Sequence, residues 1–152
     1  MHSQMIHPFL ESAQTVLEQV ANITSSPGEV TVKEAKFVDK HIWIKIGVSG
    51  HVTGDIVYGI EDQVALALIS KMMGGFEVKE IDEMGISAIS ELGNMISGNA
   101  SSILFNKGIS LQITPPEVIK KATLAGFSPT TATSIPLKLD QIGEIQILVA
   151  VL

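Results

Sequence analysis

The sequence contains no cysteine among its 152 residues. This absence excludes a disulfide framework, a thiolate metal site and a cysteine nucleophile. It fits a reducing compartment, and we expect a cytoplasmic protein. Charged and aromatic residues are also sparse, whereas 45% of the residues are hydrophobic. The composition therefore predicts a well-buried globular protein, with 1–152 forming a single domain.

Basic residues are few, with 10 Lys and Arg against 16 Asp and Glu, for a formal net charge of -6. Nucleic-acid binders need clustered cations, and Lys120-Lys121 is too short a cluster, so we expect no nucleic-acid partner. No apolar run reaches membrane-spanning length, and the N-terminus lacks the basic start of a signal peptide. We therefore expect no membrane partner.

Motifs for common small-molecule chemistry are missing as well. The four histidines show no metal-ligand spacing, so we expect no metal site. Gly74-Gly75 ends a predicted helix instead of opening one, and no Gly-x-Ser-x-Gly motif is present. A conventional small-molecule enzyme is disfavoured, although a catalytic triad can still assemble from distant parts of a chain.

The hydrophobic periodicity predicts an α+β fold, an antiparallel sheet with long helices packed on it. Pro8 suits the first turn of the first helix, and 38–41 suits a hairpin turn. The segment 117–126 is compatible with a short helix or with irregular structure. The predicted helices are 9–23, 62–73 and 82–105, and the predicted strands are 29–38, 41–50, 54–60, 109–114, 129–139 and 142–152.

The order of these elements indicates an internal duplication, because a helix followed by three strands occurs twice. The two helices can be compared directly. Glu18 and Ala21 in the first helix take the places of Glu91 and Asn94 in the second. If the halves are related, the first has kept the acid and lost the amide.

The longest predicted helix, 82–105, contains the polar pair most suited to chemistry. At about 100° per residue, one sector collects its core residues, and Glu91 and Asn94 lie roughly opposite that sector. The pair therefore points at solvent or at a partner. The residues assigned to the core sector are Ile89, Leu92, Ile96 and Ile103.

Small residues surround the pair, where an exposed helix usually carries long charged side chains. Gly93 and Gly98 each cost about 1 kcal/mol relative to Ala inside a helix, which favours close approach by another surface. Two simpler interpretations remain open: a chance pair on a solvated helix, or close packing within the fold. The other small residues around the pair are Ser87, Ser90, Ser101 and Ser102.

The arrangement of Ser87, Glu91 and Asn94 resembles the active-site helix of the CheC/CheX/FliY phosphatases of bacterial chemotaxis. The likeness extends over the whole chain, and the single complete pair resembles the one-site CheX branch. In that family a proline follows the Asn after some twenty-two residues. Twenty residues separate Asn94 from Pro115 and twenty-one separate it from Pro116, one short of the usual gap, which puts a role for the proline in doubt.

The resemblance implies a phosphatase that removes the phosphoryl group from the phosphoaspartate of a CheY-type receiver domain. Asn94 would position the attacking water, and Glu91 would pair with the receiver's active-site Lys. The protein would need no cofactor of its own, because the receiver would supply Mg²⁺. Ser87, Ser90, Gly98 and Ser101 would line the docking surface.

The family also implies a homodimer joined at sheet edges. Two other functions remain open. A non-catalytic adaptor or flagellar-switch-type domain would bind the phosphorylated receiver without hydrolysing it, and a purely structural domain would not bind it at all.

Overall fold

Over the residues that the structure describes, the architecture is one antiparallel sheet of eight strands with three helices against one of its faces. It comes from a computed structural model, which describes residues 2–119 and 131–151. The α+β prediction is confirmed. The elements are α1 (His2–Ala21), β1 (Ser25–Pro27), β2 (Thr31–Glu34), β3 (His41–Gly50), β4 (Gly54–Glu61), α2 (Asp62–Met72), α3 (Glu83–Asn106), β5 (Leu111–Ile113), β6 (Glu117–Val118), β7 (Thr131–Leu139) and β8 (Gly143–Val151).

The strand order confirms the duplication and adds an exchange between the halves. The order is β1-β7-β8-β4-β3-β5, with β2 also paired to β7 and β6 also paired to β3. The short strands of the first half therefore pair with the hairpin of the second half, and the short strands of the second half pair with the hairpin of the first. Reversing the order gives β5-β3-β4-β8-β7-β1, in which each strand takes the place of its counterpart from the other half. An internal two-fold axis would produce the same exchange.

The hairpin of β3 and β4 shows why the period-two pattern predicted these strands well. Ile44 pairs with Tyr58 and Ile46 with Ile56, and all four side chains are buried in the main core. Successive side chains alternate between the faces of a sheet. Trp43 accordingly lies on the face away from the helices, in a second, smaller apolar cluster.

The predicted first strand, 29–38, is wrong in length and in partner. Only Thr31–Glu34 is a strand within it, and all four of those residues are exposed. It pairs with β7, so 38–41 does not join two paired strands. Instead, the Trp43 indole N–H donates to the carbonyl oxygen of Val38 at 3.1 Å, which holds this connection against the sheet. A partner about a hundred residues away leaves no local sign in the sequence.

The first helix also differs from its predicted bounds. It begins at His2 instead of Phe9, and Pro8 lies inside it. Met5 and Phe9 are one turn apart and both fully buried. Their packing favours helix on both sides of Pro8 despite the hydrogen bond that proline removes. The helix ends at Ala21, because Asn22 adopts a positive φ of 54°.

The other two helices follow the prediction closely. In α3 the Asp82 carboxylate accepts a hydrogen bond from the Gly85 backbone N–H at 2.8 Å and so caps the N-terminus. One core assignment is wrong: Ile103 is only half-buried, while Leu104 is fully buried.

The C-terminal strands are confirmed, with the predicted 109–114 shortened to Leu111–Ile113. Of the open segment 117–126, Glu117–Val118 forms β6, and 120–126 lies outside the described residues. Within the described ranges, no helix is both long and apolar enough to cross a membrane.

Candidate active site

Gly93 is a point of close contact between helix α3 and the sheet. A Cβ atom on Gly93 would lie 3.2 Å from Cδ2 of Tyr58 and 3.7 Å from Cγ2 of Ile44. A side chain here would push the helix off the sheet. Gly93 thus serves packing within the fold, which is one of the interpretations that the sequence left open.

Tyr58 of β4 and Ser97, which is three residues after Asn94, fix α3 to the sheet. The Tyr58 hydroxyl and Ser97 Oγ form a hydrogen bond of 2.7 Å, and both side chains are buried. Burial raises the pKa of Tyr58 well above its ordinary value of 10.0, and the hydrogen bond with Ser97 offsets part of that rise. A neutral, hydrogen-bonded tyrosine therefore holds the turn of α3 that follows Asn94.

Glu91 and Asn94 are not among the buried residues of α3. Glu91 is exposed, as predicted, while Asn94 is half-buried and so less exposed than predicted. Within the described part of the chain, neither side chain makes a hydrogen bond or an ion pair. The carboxylate and the amide are thus free to contact groups from another molecule.

The small residues around the pair divide into two kinds. Ser87 is exposed, and Gly98 would have only open space around an added Cβ. Ser90 is half-buried. Ser101 is also half-buried, and its hydroxyl donates to the carbonyl oxygen of Leu111 at 3.3 Å. Ser101 therefore ties α3 to β5 instead of simply lining an open surface.

The structure changes the comparison between the duplicated helices. One spacing is shared by their buried residues: Phe9, Ala13, Val16, Leu17 and Ala21 in α1, and Gly85, Ile89, Leu92, Gly93 and Ser97 in α3. This match aligns Thr15 with Glu91 and Glu18 with Asn94, three residues away from the predicted alignment. Helix α1 thus has a threonine in place of the acid and an acid in place of the amide, so it lacks the pair.

Two of the histidines considered in the sequence contact other residues of the fold. His41 stacks on Trp43, and His51 Nδ1 accepts a hydrogen bond from the Ser110 backbone N–H at 2.8 Å. Pro115 and Pro116 separate β5 from β6. Across residues 2–119 and 131–151, no three His, Asp or Glu side chains cluster closely enough to hold a metal ion.

Sequence reasoning missed the support beneath the pair. Tyr58 is the only tyrosine of the chain and stands at a core-facing position of β4, which was a usable signal for a buried hydroxyl. A buried tyrosine hydroxyl usually has a hydrogen-bond partner. Its partner, Ser97, lies on the buried side of α3 and could be chosen among the many serines only with the structure.

Comparison with known proteins identifies the family of this fold. Residues 42–138 match the model of the chemotaxis phosphatase CheX family. The CheY-P phosphatase CheX of Thermotoga maritima is 30% identical over 119 residues, which is 78% of this chain and 77% of that protein.

Two crystal structures share the fold over nearly their whole length. The chemotaxis protein CheX from Desulfovibrio desulfuricans has a TM-score of 0.78 and 27% identity, covering 95% of this chain and 97% of that one. The CheX–CheY–BeF3–Mg²⁺ complex from Borrelia burgdorferi has a TM-score of 0.72 and 26% identity, covering 96% of both chains. By the family match and the Thermotoga relative, this chain belongs to the CheX family of chemotaxis phosphatases.

Proposed function

We propose that this protein hydrolyses the phosphoaspartate of a CheY-type receiver domain. The observation that carries the proposal is the acid and amide pair on α3, an exposed Glu91 and a half-buried Asn94, which makes no hydrogen bond or ion pair within the described residues. The CheY-P phosphatase relative and the CheX–CheY complex support the choice of partner.

Asn94 is the proposed catalytic residue. Its amide both donates and accepts hydrogen bonds and carries no charge, so it can hold a water beside an anionic phosphoryl group without repelling it. The water oxygen attacks phosphorus in line, and the bond between phosphorus and the aspartyl oxygen breaks. The products are inorganic phosphate and the free aspartate of the receiver. The contribution of Asn94 is orientation of the water.

Glu91 is proposed to bind the active-site lysine of the receiver domain. The carboxylate lies one helical turn from Asn94 on the exposed side of α3. A charge-assisted hydrogen bond there would fix the register of the two proteins. The receiver would contribute the Mg²⁺ ion, in keeping with the presence of Mg²⁺ in the Borrelia complex.

The proposed docking surface consists of Ser87, Ser90 and Gly98, with Ser101 at its margin. Ser87 and Gly98 leave open space next to the pair. Short side chains let the backbone of α3 come close to a partner. Ser101 contributes less, because its hydroxyl is already bonded to Leu111.

We also propose that 1–152 acts as one domain in the cytoplasm, and as a homodimer. A single sheet contains strands from Ser25 to Val151, which favours one domain. The long Ile- and Val-rich strands are interior to the sheet, so they are not the dimer edge that the sequence suggested. The edge at β2 is a better candidate, because Val32 on it is 71% exposed.

The test is the decay of a phosphorylated CheY-type regulator, labelled with radioactive phosphate, in the presence of the protein. The wild type should accelerate the loss of label, and Asn94→Ala should not. Asn106→Ala is the matched control, since Asn106 is an exposed amide on the same helix. Unchanged decay with the wild type, together with phosphorylation-dependent binding, would instead assign the protein as a non-catalytic adaptor.

A further inference from the structure

The exposed side of α3 carries two large apolar side chains as well as the polar pair. Met84 is 66% exposed and Phe105 is 68% exposed. At about 100° per residue, Met84, Glu91 and Phe105 fall within a sector of about 60°. Asn94 lies about 20° outside that sector, on the side of Phe105, so the two apolar side chains flank the candidate catalytic pair, one near each end of the helix.

Isolated exposed apolar residues are common and need no explanation by themselves. The spacing is what distinguishes these two. At about 1.5 Å per residue, Met84 and Phe105 are about 30 Å apart along the helix axis, with Asn94 near the midpoint. A standard interface buries about 800 Å² on each partner, which corresponds to a disc about 32 Å across. A partner centred on Asn94 thus reaches both side chains.

The polar centre of this surface offers little apolar area of its own. Around the pair stand Ser87 and Gly98, whose side chains are minimal. Most interfaces derive their affinity from a few well-buried large side chains. On the exposed side of α3, Met84 and Phe105 are the large apolar side chains that can fill that role.

A second methionine lies close to Met84. Met84 and Met73 line the same shallow depression between α2 and α3, together with Ile69, Val78 and four charged residues, Glu77, Lys79, Glu80 and Asp82. Met73 is itself 41% exposed. Methionine side chains are flexible and fill irregular gaps, which suits a contact that must adapt to a partner.

We propose that Met84 and Phe105 are the apolar contacts that hold the receiver domain on α3 and set its affinity, while Asn94 carries the chemistry. The inference rests on the proposed phosphatase function. The occupant is the receiver domain and not a second copy of this chain. A second copy seated between Met84 and Phe105 would cover Asn94 and block the reaction.

The experiment compares steady-state dephosphorylation of the phosphorylated CheY-type regulator by the wild type, M84Q, F105Q and the double variant. The double variant should raise KM about tenfold or more and leave kcat within about twofold, because contacts made equally in ground and transition states affect binding alone. V38Q is the matched control, since Val38 is 51% exposed and lies outside the helices. Equal circular dichroism and Tm establish that the variants are folded.

The outcomes separate this inference from the function on which it rests. If the wild type does not accelerate dephosphorylation, the proposed function fails and the inference fails with it. If the wild type is active and the double variant keeps a wild-type KM, the function stands and the inference is overturned. A changed oligomeric state with an unchanged KM assigns the two side chains to a self-interface and also overturns it.

Discussion

Gly93 and Gly98 are both helical glycines of α3, yet they face opposite surroundings. Gly93 lies against Tyr58, where an added Cβ would be only 3.2 Å from the ring. Gly98 has nothing within 4 Å of an added Cβ. The sequence predicted that another surface packs closely against both glycines. It could not separate them, because the separation depends on which residue of another element lies beneath each one.

This contrast predicts stability changes of opposite sign. Gly98→Ala should raise stability by about 0.5–1 kcal/mol, because alanine favours the helix and meets no neighbour. Gly93→Ala should lower Tm, because the hydrogen bond to Ser97 prevents Tyr58 from moving aside. Thermal unfolding followed by circular dichroism measures both. A lower Tm for Gly98→Ala, or a higher one for Gly93→Ala, would contradict the packing described for α3.

Tyr58 gives a second prediction, on alkaline pH. Its pKa in the folded protein is raised above 10.0 by burial. Below about pH 10 the folded and unfolded states both keep the proton. Above it the unfolded state releases the proton while the folded state retains it, so stability falls as pH rises. Tyr58→Phe should lose this pH dependence.

Absorbance at 295 nm measures that titration directly, because Tyr58 is the only tyrosine of the chain. The unfolded protein in denaturant, with a midpoint near pH 10, is the internal reference. The folded protein should show no tyrosinate at that pH. A midpoint near pH 10 in the folded protein would show that the hydroxyl is solvated and that the bond to Ser97 is absent.

At the scale of the element, α3 was the most predictable part of the chain. Its bounds of 82–105 were predicted from periodicity and are observed as Glu83–Asn106. The repeat of apolar residues was long, and Asp82 was in place to cap it. Helix α1 was less predictable, because Pro8 looked like a start signal while Met5 was already part of the core. Tertiary packing outweighed the local signal.

The cap of α3 yields the prediction at this scale. Asp82→Ala should destabilise the protein by about 1 kcal/mol, because the Gly85 N–H loses its acceptor. Asp82→Asn should retain most of the stability, since asparagine also accepts that bond. Urea unfolding midpoints of the three proteins test the ranking. Equal losses for Ala and Asn would mean that the charge, and not the hydrogen bond, stabilises the helix end.

At the scale of the whole molecule, the exchanged strands were beyond sequence reasoning. The strands of the two central hairpins could be predicted from the alternation of apolar and polar residues. The partners of β2 and β5, however, lie in the opposite half of the chain. Short exposed strands carry little periodicity, so pairing could not be inferred from them. The candidate pair itself was found from its position on the helical wheel, because that position depends on local geometry alone.

The edge at β2 leads to a prediction about assembly. Light scattering should give about twice the 16.2 kDa of one chain at micromolar concentration. Val32→Lys should shift the protein toward the monomer, because a charge on an exposed edge disfavours strand pairing. Val38→Lys, an exposed valine outside the strands, is the control. A wild-type protein that is monomeric under these conditions would contradict the proposed homodimer.

The most direct test of the central claim is a single-turnover experiment with the protein saturating over a phosphorylated CheY-type regulator. Binding of the regulator is measured separately, for example by fluorescence anisotropy. Asn94→Ala should bind the regulator within about threefold of the wild type and yet reduce the first-order rate to that of the regulator alone, since Asn94 acts on the transition state. A wild-type rate in the Asn94→Ala variant would contradict the assignment of Asn94 as the catalytic residue.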